Sequence, residues 1–154
     1  MEHNDEHYMR QCIGEAQAAS RRGEVPVGAL IVDPTTDTVI ARTGNAPISI
    51  CDPTAHAEIL ALRDAAYRTE NYRLSGLTLY VTLEPCTMCA GAISHARIGR
   101  VVYGASDPKG GAVENGVQFF DSPNFHAKPS ITGGVLAYEC GQLLKDFFKA
   151  RRRK

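Results

Sequence analysis

The chain has 154 residues, of which 44% are apolar and 22% charged, with 17 basic and 17 acidic side chains in balance. That length suits one domain spanning residues 1–154, and the composition excludes disordered, fibrous and disulfide-framework classes. With no run of about 18 apolar residues and an acidic start at Met1-Glu2-His3-Asn4-Asp5-Glu6, neither a spanning helix nor a signal peptide is expected, which points to a cytoplasmic protein.

Taken in chain order, Met9, Cys12, Ile13, Ala16 and Ala19 repeat at helical spacing, which predicts an amphipathic helix over about 5–21, ended by Gly23. Residues 25–32 read as a buried strand. A turn at Asp33-Pro34-Thr35-Thr36-Asp37 returns the chain through a second strand over 38–42, making an antiparallel hairpin. From Gly44 to Pro53 there is no apolar period, so this stretch is an irregular loop. Asp52-Pro53 then reads as an N-cap and first helical residue, placing His56 early in a helix that runs to about Tyr67. A third strand over 77–83 leads through Glu84-Pro85 into a helix that carries Cys86 and Cys89 in its first turn and ends near Ala96.

A short strand over 101–104 follows, and strand, helix, strand predicts a right-handed crossover with parallel pairing. Residues 105–129, rich in glycine and proline, form a long loop of the kind that serves function or an interface. Val135, Leu136, Glu139, Cys140, Leu143, Leu144 and Phe147 predict a last helix capped near Thr132. It ends on Lys145, Lys149, Arg151, Arg152, Arg153 and Lys154, a cluster that either complements the helix dipole or meets phosphates. The fold class is α/β, a mixed sheet with helices on both faces.

Chemistry concentrates in two stretches, Pro53-Thr54-Ala55-His56-Ala57-Glu58 and Glu84-Pro85-Cys86-Thr87-Met88-Cys89. Cys-x-x-Cys at a helix start puts two sulfurs within reach of one tetrahedral ion. His56 supplies a third ligand, the fourth corner stays open to water as in a catalytic zinc site, and Glu58 is the base that moves the water's protons. The pattern His-x-Glu followed by Pro-Cys-x-x-Cys is that of the zinc deaminases. Two other readings exist. A redox pair leaves His56 and Glu58 unexplained, and a closed structural site with Cys51 as fourth ligand leaves Glu58 without a task. Residues two apart in a helix point roughly 200° from each other, so His56 and Glu58 share a site only if the metal lies near the helix end. Cys12 and Cys140 fall on apolar helical faces and are expected in the core.

Beyond the metal motif, Tyr80-Val81-Thr82-Leu83-Glu84-Pro85-Cys86-Thr87-Met88-Cys89-Ala90-Gly91-Ala92-Ile93 and Arg97-Ile98-Gly99-Arg100-Val101-Val102-Tyr103-Gly104-Ala105 resemble the bacterial tRNA-specific adenosine deaminases, with nearly the whole chain covered. The metal motif is specific only to the wider cytidine deaminase-like superfamily. Asn45 and the Phe147-Phe148 ending with its basic tail narrow the resemblance to the tRNA branch. The resemblance implies a three-layer α-β-α fold with a mixed sheet of about five strands, and hydrolysis of the wobble adenosine of a tRNA anticodon to inosine by a homodimer. Zinc would be held by His56, Cys86 and Cys89, one ion per chain. Glu58 would shuttle protons, Asn45 would hydrogen-bond the base, and Asp107 would lie near the substrate's sugar and phosphates.

The chain departs from the family at Cys51, where a histidine is frequent, and over 124–129, which lacks the usual Asn-His-Arg. The alternative function is deamination of a free base, guanine or cytosine, by the same zinc chemistry. A further one is an RNA-binding module with a structural zinc.

Overall fold

The computed structural model describes residues 4–123 and 127–152. Arg153 and Lys154 of the basic tail, Glu2 of the acidic start, and Asn124, Phe125 and His126 of the departing segment lie outside them. The chain runs α1 (Asp5–Arg21), β1 (Gly28–Asp33), β2 (Thr38–Gly44), α2 (Ala57–Thr69), β3 (Thr78–Leu83), α3 (Thr87–Ala96), β4 (Arg100–Ala105), a short 3-10 turn (Phe119–Asp121), β5 (Ser130–Thr132) and α4 (Ala137–Arg152). The five strands form one sheet in the order β2-β1-β3-β4-β5. β1 pairs antiparallel with β2 and β3, while β3 with β4 and β4 with β5 are parallel, so the sheet is mixed as expected.

Alternation along the central strands decides the layers, because successive side chains of a strand face opposite sides. Ala29, Ile31, Leu79, Val81, Val101 and Tyr103 pack against Ala57, Ala61, Leu62 and Ala65 of α2 and Ala90 and Ile93 of α3. Leu30, Val32, Tyr80 and Val102 face the other way, onto Tyr8, Met9 and Cys12 of α1 and Cys140 of α4. Cys12 and Cys140 are thus buried core residues. Both central faces are apolar, and both are covered, which is the three-layer α-β-α arrangement.

Three expectations change. The Asp52-Pro53 pair does not start a helix: Asp52 Oδ1 accepts from the Thr54 N–H and hydroxyl, closing a local turn, and α2 begins only at Ala57 with His56 as its extended N-cap. Cys86 is likewise the extended N-cap of α3, with Cys89 inside the first turn. Thr132 does not cap the last helix. It ends β5, and α4 begins five residues later, after the turn through Gly133, Gly134, Val135 and Leu136.

Candidate metal and catalytic site

Parallel pairing of β3 and β4 puts the chain exits of both strands at the same end of the sheet, and α2 begins beside them. Pro85 follows the last residues of β3 and fixes an extended entry to the cysteine turn. Cys86 at the N-cap and Cys89 three residues on present their sulfurs at the end of α3. His56, held extended before α2, reaches across from the other helix start. His56 Nδ1 lies 3.6 Å from Cys86 Sγ and 3.5 Å from Cys89 Sγ, and all three donor atoms fall within 4.8 Å of one another.

The donor set fits zinc. Bonds of about 2.3 Å to sulfur and about 2.0 Å to nitrogen at tetrahedral angles separate the two kinds of donor by roughly 3.5 Å, which is the spacing found. The same crowding sets the two thiols apart in acidity. Cys86 is pulled down to about 4, first by the hydrogen bond from Cys89 and then by His56, whereas Cys89 is pushed far up by its bond to Cys86 and by burial. Two sulfurs this close share one proton unless a cation replaces it. His56 is raised, chiefly by its hydrogen bond with Cys86.

Glu58 is 4% exposed and hydrogen-bonds Cys89. Burial, then the nearby Cys86 sulfur, pushes its carboxyl up to about 7. The angular difficulty disappears because His56 precedes the helix: only Glu58 is helical, one residue into α2, and the two need not share a helix face.

Asn45 sits directly after β2. Its Oδ1 accepts from the Ala57 N–H at 2.8 Å, the amide between His56 and Glu58, and Thr43 Oγ1 donates to the Ala57 carbonyl at 2.7 Å. Asn45 is therefore at the site, with its carbonyl end committed to the backbone. Asp107, after β4, accepts from the Lys109 and Gly110 amides and caps its own turn, while its N–H donates to Glu84 Oε1. Cys51 does not join the cluster: among the described residues its three members are His56, Cys86 and Cys89. The Cys51 thiol is exposed on backbone of positive φ and is directed at the Ile48 carbonyl.

Sequence reasoning gave no role to two buried carboxylates beside the site. Glu24 accepts from the Ile48 and Ser49 amides and the Ser49 hydroxyl, tying down the 46–52 loop. Glu84 does the same for the loop after β4. Burial raises each, but the hydrogen bonds it accepts outweigh that and hold it below the ordinary carboxylate value. The available signal was a glutamate one or two residues before a proline near a strand boundary, in Glu24-Val25-Pro26 and Glu84-Pro85, where a chain that must turn needs its amides satisfied.

Residues 3–152 match the family described as MafB19-like deaminase. A tRNA-specific adenosine deaminase of Haemophilus influenzae is 51% identical over 150 residues, covering 97% of this chain and 86% of its own. A solved structure from a study of A-to-I editing by tRNA:A34 deaminases at the wobble position superposes with a TM-score of 0.87 at 51% identity, over 90% of this chain and 99% of that one. A guanine deaminase of Bacillus subtilis gives 0.66 at 31% identity, over 99% of this chain and 96% of its own. The chain belongs to the MafB19-like deaminases and, within them, to the tRNA-specific adenosine deaminases.

Proposed function

We propose that the protein hydrolyses adenosine to inosine at the wobble position of a tRNA anticodon. The observation that carries this reading is the convergence of His56, Cys86 and Cys89 with the buried Glu58, in a chain half identical to a tRNA-specific adenosine deaminase along nearly its whole length. His56, Cys86 and Cys89 would hold one zinc ion per chain, which would supply Lewis acidity for activating water near neutral pH.

Glu58 removes a proton from the attacking water as its oxygen bonds to C6 of adenine, and returns it to the ring nitrogen. The second proton passes through the same carboxylate to the departing amine, which leaves as ammonia. Buried beside the three metal-ligand residues, the Glu58 carboxyl is placed to accept and give back protons in one turnover. Asn45, anchored through its carbonyl, keeps the NH₂ end of the same amide as a donor for the base. Anticodon loops already present unstacked bases, so extruding one costs only a few kcal/mol.

Two further parts belong to this reading. A second copy of the chain covers the apolar groove between α2 and α3, lined by Ile59, Leu62, Ala66, Leu74, Ala92 and Ala96. The protein resides in the cytoplasm, where thiol ligands stay reduced, and no helix among the described residues is long and apolar enough to cross a membrane. The deciding experiment incubates the zinc-loaded protein separately with a tRNA transcript bearing a wobble adenosine and with free adenine, guanine and cytosine. Inosine at that one position is the expected product, and turnover of a free base with none on tRNA overturns the proposal.

A further inference from the structure

Glu84 is spent on one task, and the task lies outside the proton transfers. The residue is 2% exposed, and its carboxylate accepts five hydrogen bonds from a single stretch of chain. Oε1 takes the Asp107 N–H at 2.9 Å and the Asn115 side-chain Nδ2 at 2.7 Å. Oε2 takes the Val113, Glu114 and Asn115 amides at 2.9, 2.9 and 3.0 Å. A carboxylate offers only acceptor sites, and here they face only donors. Next along the chain, the Pro85 carbonyl accepts from the Ala112 N–H at 2.9 Å.

Both ends of the 107–115 loop are thus gathered onto two consecutive residues that lead straight into the cysteine turn. Gly111 passes so close that a Cβ there would stand 2.5 Å from Glu84 Oε1 and 2.6 Å from the Asp107 carbonyl. No side chain fits. The loop that carries Asp107 is therefore built around the carboxylate, which fastens it beside Cys86, while the Tyr103 hydroxyl of β4 adds a hydrogen bond to Glu114 of the same loop.

We propose that Glu84 is a positioning residue for the RNA substrate, holding the Asp107 loop against the metal-ligand turn so that this wall of the cleft is set before the anticodon arrives. The inference rests on the function proposed above. A preset wall avoids the cost of ordering the loop at each encounter, so its loss weakens substrate binding more than the chemistry that follows.

The test is steady-state kinetics on an anticodon stem-loop RNA, with bound zinc and the thermal midpoint measured alongside. Glu84→Gln keeps the shape but turns an NH₂ toward N–H donors. The expected result is a KM raised at least about 10-fold, a kcat reduced by less than that factor, and one zinc per chain, because a loop that is no longer preset must be ordered at each encounter. Gly111→Ala, which leaves the carboxylate intact and displaces the loop, should give the same split, and the double variant should be no worse than either single one, since both act through one contact. A lowered thermal midpoint with KM unchanged in the variants that fold makes Glu84 merely structural and overturns the inference. So does a loss confined to kcat, or fully additive effects. If the native protein fails to deaminate the RNA, the functional reading itself falls, and this inference with it.

Discussion

Glu58 combines a near-neutral pKa with a position one residue into a helix, against the sulfur of Cys89. Glu58→Ala is expected to keep its zinc, since the three ligands are untouched, and to lose at least about 10²-fold in turnover, the low end for general acid-base catalysis. Metal analysis beside a deamination assay checks both halves, and normal turnover would remove Glu58 from the mechanism. Cys51→Ser separates the open site from a closed one: metal content should remain one per chain, because the Cys51 thiol faces the Ile48 carbonyl instead of the cluster. The residues of this site were legible in the sequence because ligand identity and spacing are local facts. Their backbone setting was less so. Asp52-Pro53 looks like a helix start by propensity, yet the aspartate spends its oxygen on Thr54 and the chain stays extended until His56 has reached the cysteines.

At the scale of elements, the contact of α1 with the sheet depends on a missing side chain. A Cβ at Gly28 would lie 2.7 Å from the Ala16 amide nitrogen and closer still to the Cys12 carbonyl. Gly28→Ala should therefore push α1 off β1 and cost about 1–3 kcal/mol, read as a shift in the urea midpoint. Apolar periodicity located α1, α2, α3, the hairpin and the parallel crossover, because each has a face long enough to show a period. β5 is only three residues and carries no such signal, so it was not read as a strand, and its last residue, Thr132, was read as a helix cap. The start of α4 was misplaced for a related reason: Val135 and Leu136 pack against the sheet-side core from a turn and mimic the helical period that follows.

For the whole molecule, acidification acts on the two rim carboxylates together. Glu24 and Glu84 are held below the ordinary value in the folded chain, so the unfolded chain takes up protons first. Their contribution is complete above the unfolded value of about 4.3 and is lost as pH falls through the lower folded values. Urea titrations should show stability dropping below about pH 5, with the drop smaller in Glu24→Gln than in the native protein. Assembly is tested at the α2–α3 groove, where Tyr72 is 74% exposed. For the dimer proposed above, Tyr72→Asp should shift sedimentation toward monomer.

The two parallel strands at the heart of the sheet, β3 and β4, separate what must be invariant from what can change. In the function proposed above, proton chemistry hangs on the starts of α2 and α3, whereas the loops 46–52 and 106–116 are each tied down by a buried carboxylate, Glu24 and Glu84. Lengthening or reshaping either loop leaves the hydrolytic apparatus standing, so new selectivity can evolve by remodelling the rim while the engine is inherited intact.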